Sequence, residues 1–286
     1  MAIRPPGRAV RATPDTRDGA RRALAKAHHE PKLPRGKDFN GDSFPSLHYG
    51  WVAEHRAQRV APRPTRVVQG KLGDCFFLAA FVAVAKTHPG LLESLYQDHG
   101  DGTYTVTFLG GGPKGTPIDV TVAGTFPKNA DGDLVFARGH VAAVFEKAYA
   151  KLRGGYHVID QGGFGSRALK TLTGKSAYNT TMKSVGVERL WRMVSKAVEE
   201  NRPIITSTPV AKDLKRVTGD PLMEGLIDAH QYVVLDRYER AGQRYVKVYS
   251  TLSPADAKGP ADAKRLREMT FEYWHSRFAD FAIGGR

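Results

Sequence analysis

Residues 74–86, DCFFLAAFVAVAK, place apolar side chains on every face of a helix. A surface helix is apolar along one stripe; one that is apolar all round must be enclosed on all sides. The rest of the chain must supply the layers that cover it. With 286 residues, 41% of them hydrophobic, there is enough for one large domain or two modest ones with a real core. Asp74 stands where an N-cap belongs, and Pro89-Gly90 ends the run.

Cys75, the only cysteine, falls in the first turn of this helix. A single cysteine excludes an intrachain disulfide framework and a cysteine-rich zinc site. At a helix start, free N–H groups and the dipole favour a thiolate, so reactivity is expected below the free-cysteine pKa of about 8.5. Gly70 and Gly73 bracket the approach to the cysteine and permit tight backbone turns. Gln69, six residues upstream, offers a side-chain amide donor of the kind that a tetrahedral oxyanion needs.

A thiol nucleophile also needs a base. Of the ten histidines, His230 opens a strand-like run, HQYVVLDRYE, and a second run, YVKVYST, follows after RAGQ. The two read as an antiparallel hairpin turning near residues 240–243. Mirror pairing about that turn sets His230 opposite the stretch from Ser250 to Ser253, so that a hydroxyl at Ser250 or Thr251 can orient the imidazole. Alternate strand residues face opposite ways. With Ser250 facing His230, Thr251 faces away, and its loss is expected to matter little. His140 and His157 are the next candidates for the base.

These segments resemble the calpain-type, papain-like cysteine proteases. QGKLGDCFFLAA is similar to their cysteine segment and GLIDAHQYVVLDRYE to their histidine segment. FEKAYAKLRGGYHVIDQGGFGSRALKTLTG resembles the stretch joining the two halves of the core, and MTFEYWHSRFADFAIG its closing helix and strand. The likeness runs over residues 65–286 in the family's order. It implies an α+β, two-lobed core: a mostly helical lobe over 67–200 bearing the cysteine, a β-rich lobe over 201–286 bearing the histidine, and the site between them. It carries the nucleophile onto Cys75, the base onto His230 and the oxyanion donor onto Gln69. One departure is visible. The family places Asn-Pro-Trp-Gly after the histidine, whereas this chain reads Ser250-Thr251-Leu252-Ser253 and has no asparagine beyond Asn201. Ser250 takes the place of the orienting asparagine, as the hairpin pairing also indicates.

The implied activity is endopeptidase hydrolysis of protein substrates through a thioester acyl-enzyme. The alternatives are a transglutaminase-like acyl transferase and a catalytically dead, protein-binding relative. No cofactor is expected. The family's core can itself hold calcium, but DHGDG (98–102) and NADGD (129–133) lack the spacing of a calcium loop and read as hairpin turns. FLGGGPKG (108–115) is a glycine-rich turn without the ending of a phosphate loop.

Net charge is +14, and residues 1–66 hold 14 Lys and Arg against 6 Asp and Glu, so most of the excess lies in a Pro- and Arg-rich leader. That leader reads as largely unpacked, with a short helix over Thr16–His29. The distribution argues against a nucleic-acid partner. No stretch approaches the roughly 20 apolar residues that cross a membrane, and the basic start lacks the apolar core of a signal peptide. The reading is therefore a cytoplasmic protein in its producer, with delivery into a target cell as a bacterial effector or toxin, and with a cognate inhibitor protein that covers the cleft.

Overall fold

The computed structural model describes residues 29–34, 36–37, 43–44, 47–51, 67–210, 226–252 and 265–286. In chain order, the elements that position the site are β1 (His48–Trp51), α1 (Cys75–Thr87), α2 (Pro89–Ser94), β2 (Tyr96–Asp98), β3 (Thr103–Phe108), β4 (Ile118–Ala123), β5 (Thr125–Lys128), α3 (His140–Arg153), α4 (Tyr156–Ile159) and α5 (Gly165–Thr173). They continue with β6 (Tyr178–Thr181), α6 (Val187–Glu199), β7 (Ile204–Ser207), β8 (Gln231–Arg240), β9 (Gln243–Ser250), β10 (Leu266–Thr270), α7 (Phe271–Arg277) and β11 (Asp280–Ile283).

The all-apolar helix sits where its pattern requires. Every residue of α1 from Phe76 to Ala85 is buried. It lies against α5, α3 and the sheet strands β7 and β8. Phe77 stacks on Tyr149 with ring centroids 4.1 Å apart, and Phe81 meets Phe145 at 5.0 Å. The run ends at Thr87, and Pro89 occupies the first turn of α2, where its missing N–H costs nothing.

Strands β10-β9-β8-β7-β11-β6 form one antiparallel sheet in that order. Ile205, Val233, Tyr249 and Ala282 on this sheet join the core around α1, while Tyr232, Val234, Val248 and Phe281 join a second core. Alternation along the strands gives the sheet two buried faces. Helix α6 covers the second face through Leu190, Val194 and Ala197, spaced along one stripe. Trp274, Phe271 and Phe278 complete that core, so the aromatics near the chain end are packing residues.

Two expectations about organisation change. The second core begins with Met182 and Val185, and β6 and α6 belong with the sheet. The change of core therefore falls between α5 and β6 and not at residue 200, because burial groups residues by face rather than by helix content. The first unit is also less purely helical than expected: β2, β3 and β4 form a three-stranded sheet.

The leader is not wholly unpacked either. Pro31 and Pro34 are buried, Lys32 accepts from the Tyr156 N–H through its carbonyl, and β1 pairs with β5. Glu30 reaches the ammonium of Lys147, a fully buried lysine that also donates to the carbonyls of Ala123 and Thr125. A buried cation needs such a partner, and that need ties the segment down. Apart from its last residue, the helix expected over Thr16–His29 lies outside the described residues. DHGDG is the turn joining β2 to β3, and NADGD is a turn closed by the Asn129 side chain. Among the described residues no helix is long and apolar enough to cross a membrane, and no three metal-ligating side chains gather.

Candidate active site

Cys75 opens α1 and is partly exposed. The loop that delivers it is drawn tightly against two neighbours. A Cβ on Gly70 would lie 2.0 Å from the Val135 carbonyl oxygen, and one on Gly73 would lie 2.3 Å from that of Asp160. Gly73 also donates its N–H to the Asp160 carboxylate at 2.9 Å. These glycines serve close approach of chain to chain; among the positive-φ glycines neither appears.

Burial opposes the thiolate expected at the helix start. Burial, the largest influence, pushes the Cys75 thiol up to about 11, and the charge of Asp74 pushes the same way. The N–H groups of Gln231, Phe76 and Cys75 itself pull it back, so the helix start acts in the anticipated direction but is outweighed. Asp74 adds to this effect of burial. It occupies the N-cap position without capping, fully buried, with its carboxyl turned toward that of Glu146 on α3. Burial raises Asp74 to about 7 and Glu146 well above the usual range. Two buried carboxyls near one another disfavour each other's ionisation. Glu146 further accepts from the Ala137 N–H at 3.1 Å. Its signal in the sequence is an acid that follows the apolar run Val141–Phe145, and it went unread.

His230 precedes β8 and is 4% exposed, the one buried histidine among those whose side chains are described. Thr208 brackets it: its hydroxyl accepts from the His230 N–H at 3.0 Å, and its own N–H donates to the His230 carbonyl at 3.0 Å. The Tyr232 ring stands perpendicular to the imidazole at 5.0 Å. Burial holds His230 down to about 4, so the ring is a neutral base at neutral pH.

Nε2 of His230 lies 2.9 Å from the Ser250 hydroxyl oxygen, which also accepts from the Leu252 N–H at 3.1 Å. When the hydroxyl accepts from the ring as well, Nε2 carries the proton and Nδ1 keeps its lone pair, the tautomer a base needs. Ser250 thus stands where the sequence places it, but the pairing differs from a simple mirror. Strands β8 and β9 join through Ala241 and Gly242, both at positive φ, which matches the expected turn. The register then slips by one between Val234 and Asp236, where Leu235 is the extra residue of a bulge, and Tyr232 pairs with Ser250.

Gln69 is 3% exposed. Its Nε2 donates to the Leu72 carbonyl at 2.5 Å, and its Oε1 accepts from the Thr251 hydroxyl at 3.0 Å. Thr251 therefore faces away from His230 as expected, but not away from the site; it faces Gln69. The four elements close a circuit: Gln69 to Leu72 in the loop before Cys75, Cys75 to the N–H beside His230, His230 to Ser250, and Thr251 back to Gln69. Exposed His157 lies outside this circuit.

A thiol raised and an imidazole lowered by burial set the expected pH response. Alkylation of Cys75 by iodoacetamide, followed by mass, is expected to rise with a midpoint above the about 8.5 of free cysteine. Loss of activity on the acid side should follow His230, so kcat/KM should hold below pH 6.5 and fall toward pH 4 as the ring takes up its proton. An alkylation midpoint below the free value would mean that the site rests as a thiolate–imidazolium pair.

An α+β core with a cysteine at the start of a buried helix, and a histidine at the mouth of a sheet hairpin next to the N–H that the thiol meets, is the architecture of a papain-like cysteine protease. The calpain family cysteine protease model matches residues 55–250, and the chain belongs to that family. It is 28% identical to the calpain-type cysteine protease DEK1 of Arabidopsis thaliana over 74% of this chain and 10% of that protein. It is 30% identical to calpain-9 of Rattus norvegicus over 73% of this chain and 31% of that one. The chain thus corresponds to a minor part of the length of these relatives.

Proposed function

We propose that the chain is a cysteine endopeptidase that hydrolyses peptide bonds in protein substrates. Cys75 attacks the scissile carbonyl carbon, its proton passing to Nδ1 of His230 as the C–S bond forms. The Gln69 amide donates to the oxyanion. On collapse, the protonated His230 gives its proton to the leaving amine and a thioester remains on Cys75. Water, deprotonated by His230, then releases the acid and restores the thiol. Ser250 keeps the ring in the required tautomer. A raised thiol pKa suits this order of events, since the base takes the proton during attack rather than beforehand.

The observation that carries the reading is the 2.9 Å pairing of His230 Nε2 with the Ser250 hydroxyl, because a ring held through Nε2 keeps Nδ1 for the thiol. An orienting hydroxyl is a weaker partner than an amide, yet losing an orienting group costs rate without abolishing catalysis. A protease core behind a basic, Pro- and Arg-rich leader supports delivery as a bacterial effector with a cognate inhibitor, with a housekeeping bacterial peptidase as the alternative.

Digestion of an unfolded protein such as casein in oxygen-18 water tests the activity. New peptide C-termini carrying one heavy oxygen, absent when Cys75 is blocked by alkylation, are the expected result. Amine-linked products in place of labelled acids would make the chain an acyl transferase. No turnover of any peptide bond would leave a binding module.

A further inference from the structure

We propose that Thr251 is a positioning residue for the oxyanion donor, acting through Gln69; this rests on the reading of Gln69 given above. A primary amide has two ends of nearly equal shape, one that donates and one that only accepts. Which end faces a reacting oxygen must be decided by its neighbours. Here the neighbours decide it completely. The Leu72 carbonyl can only accept, so it claims the nitrogen of Gln69 at 2.5 Å. The oxygen of the amide then faces the Thr251 hydroxyl at 3.0 Å, and that hydroxyl must donate. One amide hydrogen is thereby assigned to Leu72 and the other is left for the substrate.

The surroundings make this lock consequential. Thr251 is fully buried and Gln69 nearly so, so no solvent is at hand to replace the lost donor. The backbones are tied as well: the Gln69 N–H donates to the Thr251 carbonyl at 2.6 Å. Two neighbouring anchors hold the same seam, since Tyr249 donates to the Val67 carbonyl at 3.2 Å and the Arg265 guanidinium reaches the same oxygen. Successive residues at the end of β9 thus serve the two halves of the chemistry. Ser250 faces His230 and Thr251 faces Gln69, as alternation along a strand requires. The family segment that this stretch resembles has proline where Thr251 stands, and proline has no hydroxyl to donate. The device therefore goes with the replacement of Asn-Pro by Ser-Thr in this chain.

The test compares Thr251→Val, which keeps the shape and removes the hydroxyl, with Thr251→Ser, which keeps the hydroxyl. Valine is expected to lower kcat about tenfold to a hundredfold, below the full loss of one oxyanion donor, with KM within about twofold. Serine should restore most of the rate. In a Gln69→Ala background, Thr251→Val should cost nothing further. A peptide aldehyde, whose adduct with Cys75 places an oxyanion in the same position, should bind the valine variant more weakly by a similar factor. Iodoacetamide, which reacts at a saturated carbon and makes no oxyanion, should alkylate wild type and variant at the same rate. Thermal melting reports on the fold, and Thr251→Ala carries the same comparison if valine unfolds the protein. Unchanged kcat and aldehyde affinity in an active enzyme would overturn the proposal, as would equal losses in alkylation and turnover. An inactive wild type, or full activity in Gln69→Ala, would instead sink the functional reading beneath it.

Discussion

Replacing Cys75 by alanine is expected to leave the fold standing and to abolish peptide hydrolysis, a loss on the order of a millionfold in kcat for a nucleophile that acts as part of a unit. The side chain that disappears is small and partly exposed, and the ten buried residues that hold α1 in place, Phe76 to Ala85, are untouched. Melting temperature should therefore move little, and a melt beside a fluorogenic peptide assay separates the two effects. Removing the thiol removes the only atom that can form the thioester, and no second cysteine exists to take its place. More than a trace of turnover in the alanine variant would mean that the bond is cleaved elsewhere on the molecule.

His230→Ala should come close to the same loss in rate, since a thiol held at about 11 has no route to a thiolate at neutral pH without a base. Unlike the cysteine variant, it should also lower the melting temperature. The ring is 4% exposed, packs edge-on with Tyr232, and leaves a cavity and an unpartnered Ser250 hydroxyl when it goes. Added imidazole small enough to enter that cavity should return part of the activity to His230→Ala and none to Cys75→Ala. Normal turnover without His230 would move the base to another histidine, with His140 and His157 the first to test.

Much of the fold was legible because its strongest signals are local. The run from Phe76 to Ala85 announces its burial through composition alone. Ala241-Gly242 supplies the positive φ that a two-residue hairpin turn demands. What was misread depended on neighbours distant in the chain. The helix start does favour a thiolate at Cys75, yet burial and the charge of Asp74 oppose it, and Asp74 itself is buried with Glu146 of α3 as a neighbouring acid. Glu30 and Pro31 looked like solvated leader until Lys147 and Tyr49 drew them in.

By itself the sequence determined the residue types of the site and their order: Gln69, Cys75, His230 and a hydroxyl pair at Ser250-Thr251. Which hydroxyl serves which partner was left to the tertiary structure. Continuing the pairing of Arg240 with Gln243 back without interruption would set His230 opposite Ser253 and put Thr251 on its face. One additional residue in the bulge at Leu235 shifts that pairing by a single step, and in a strand a single step exchanges the two faces. Ser250 then meets His230 and Thr251 meets Gln69, a contact across 182 residues of chain. Side-chain alternation is local, but its phase depends on how two strands dock, and docking is decided by the two cores that close on either side of the sheet.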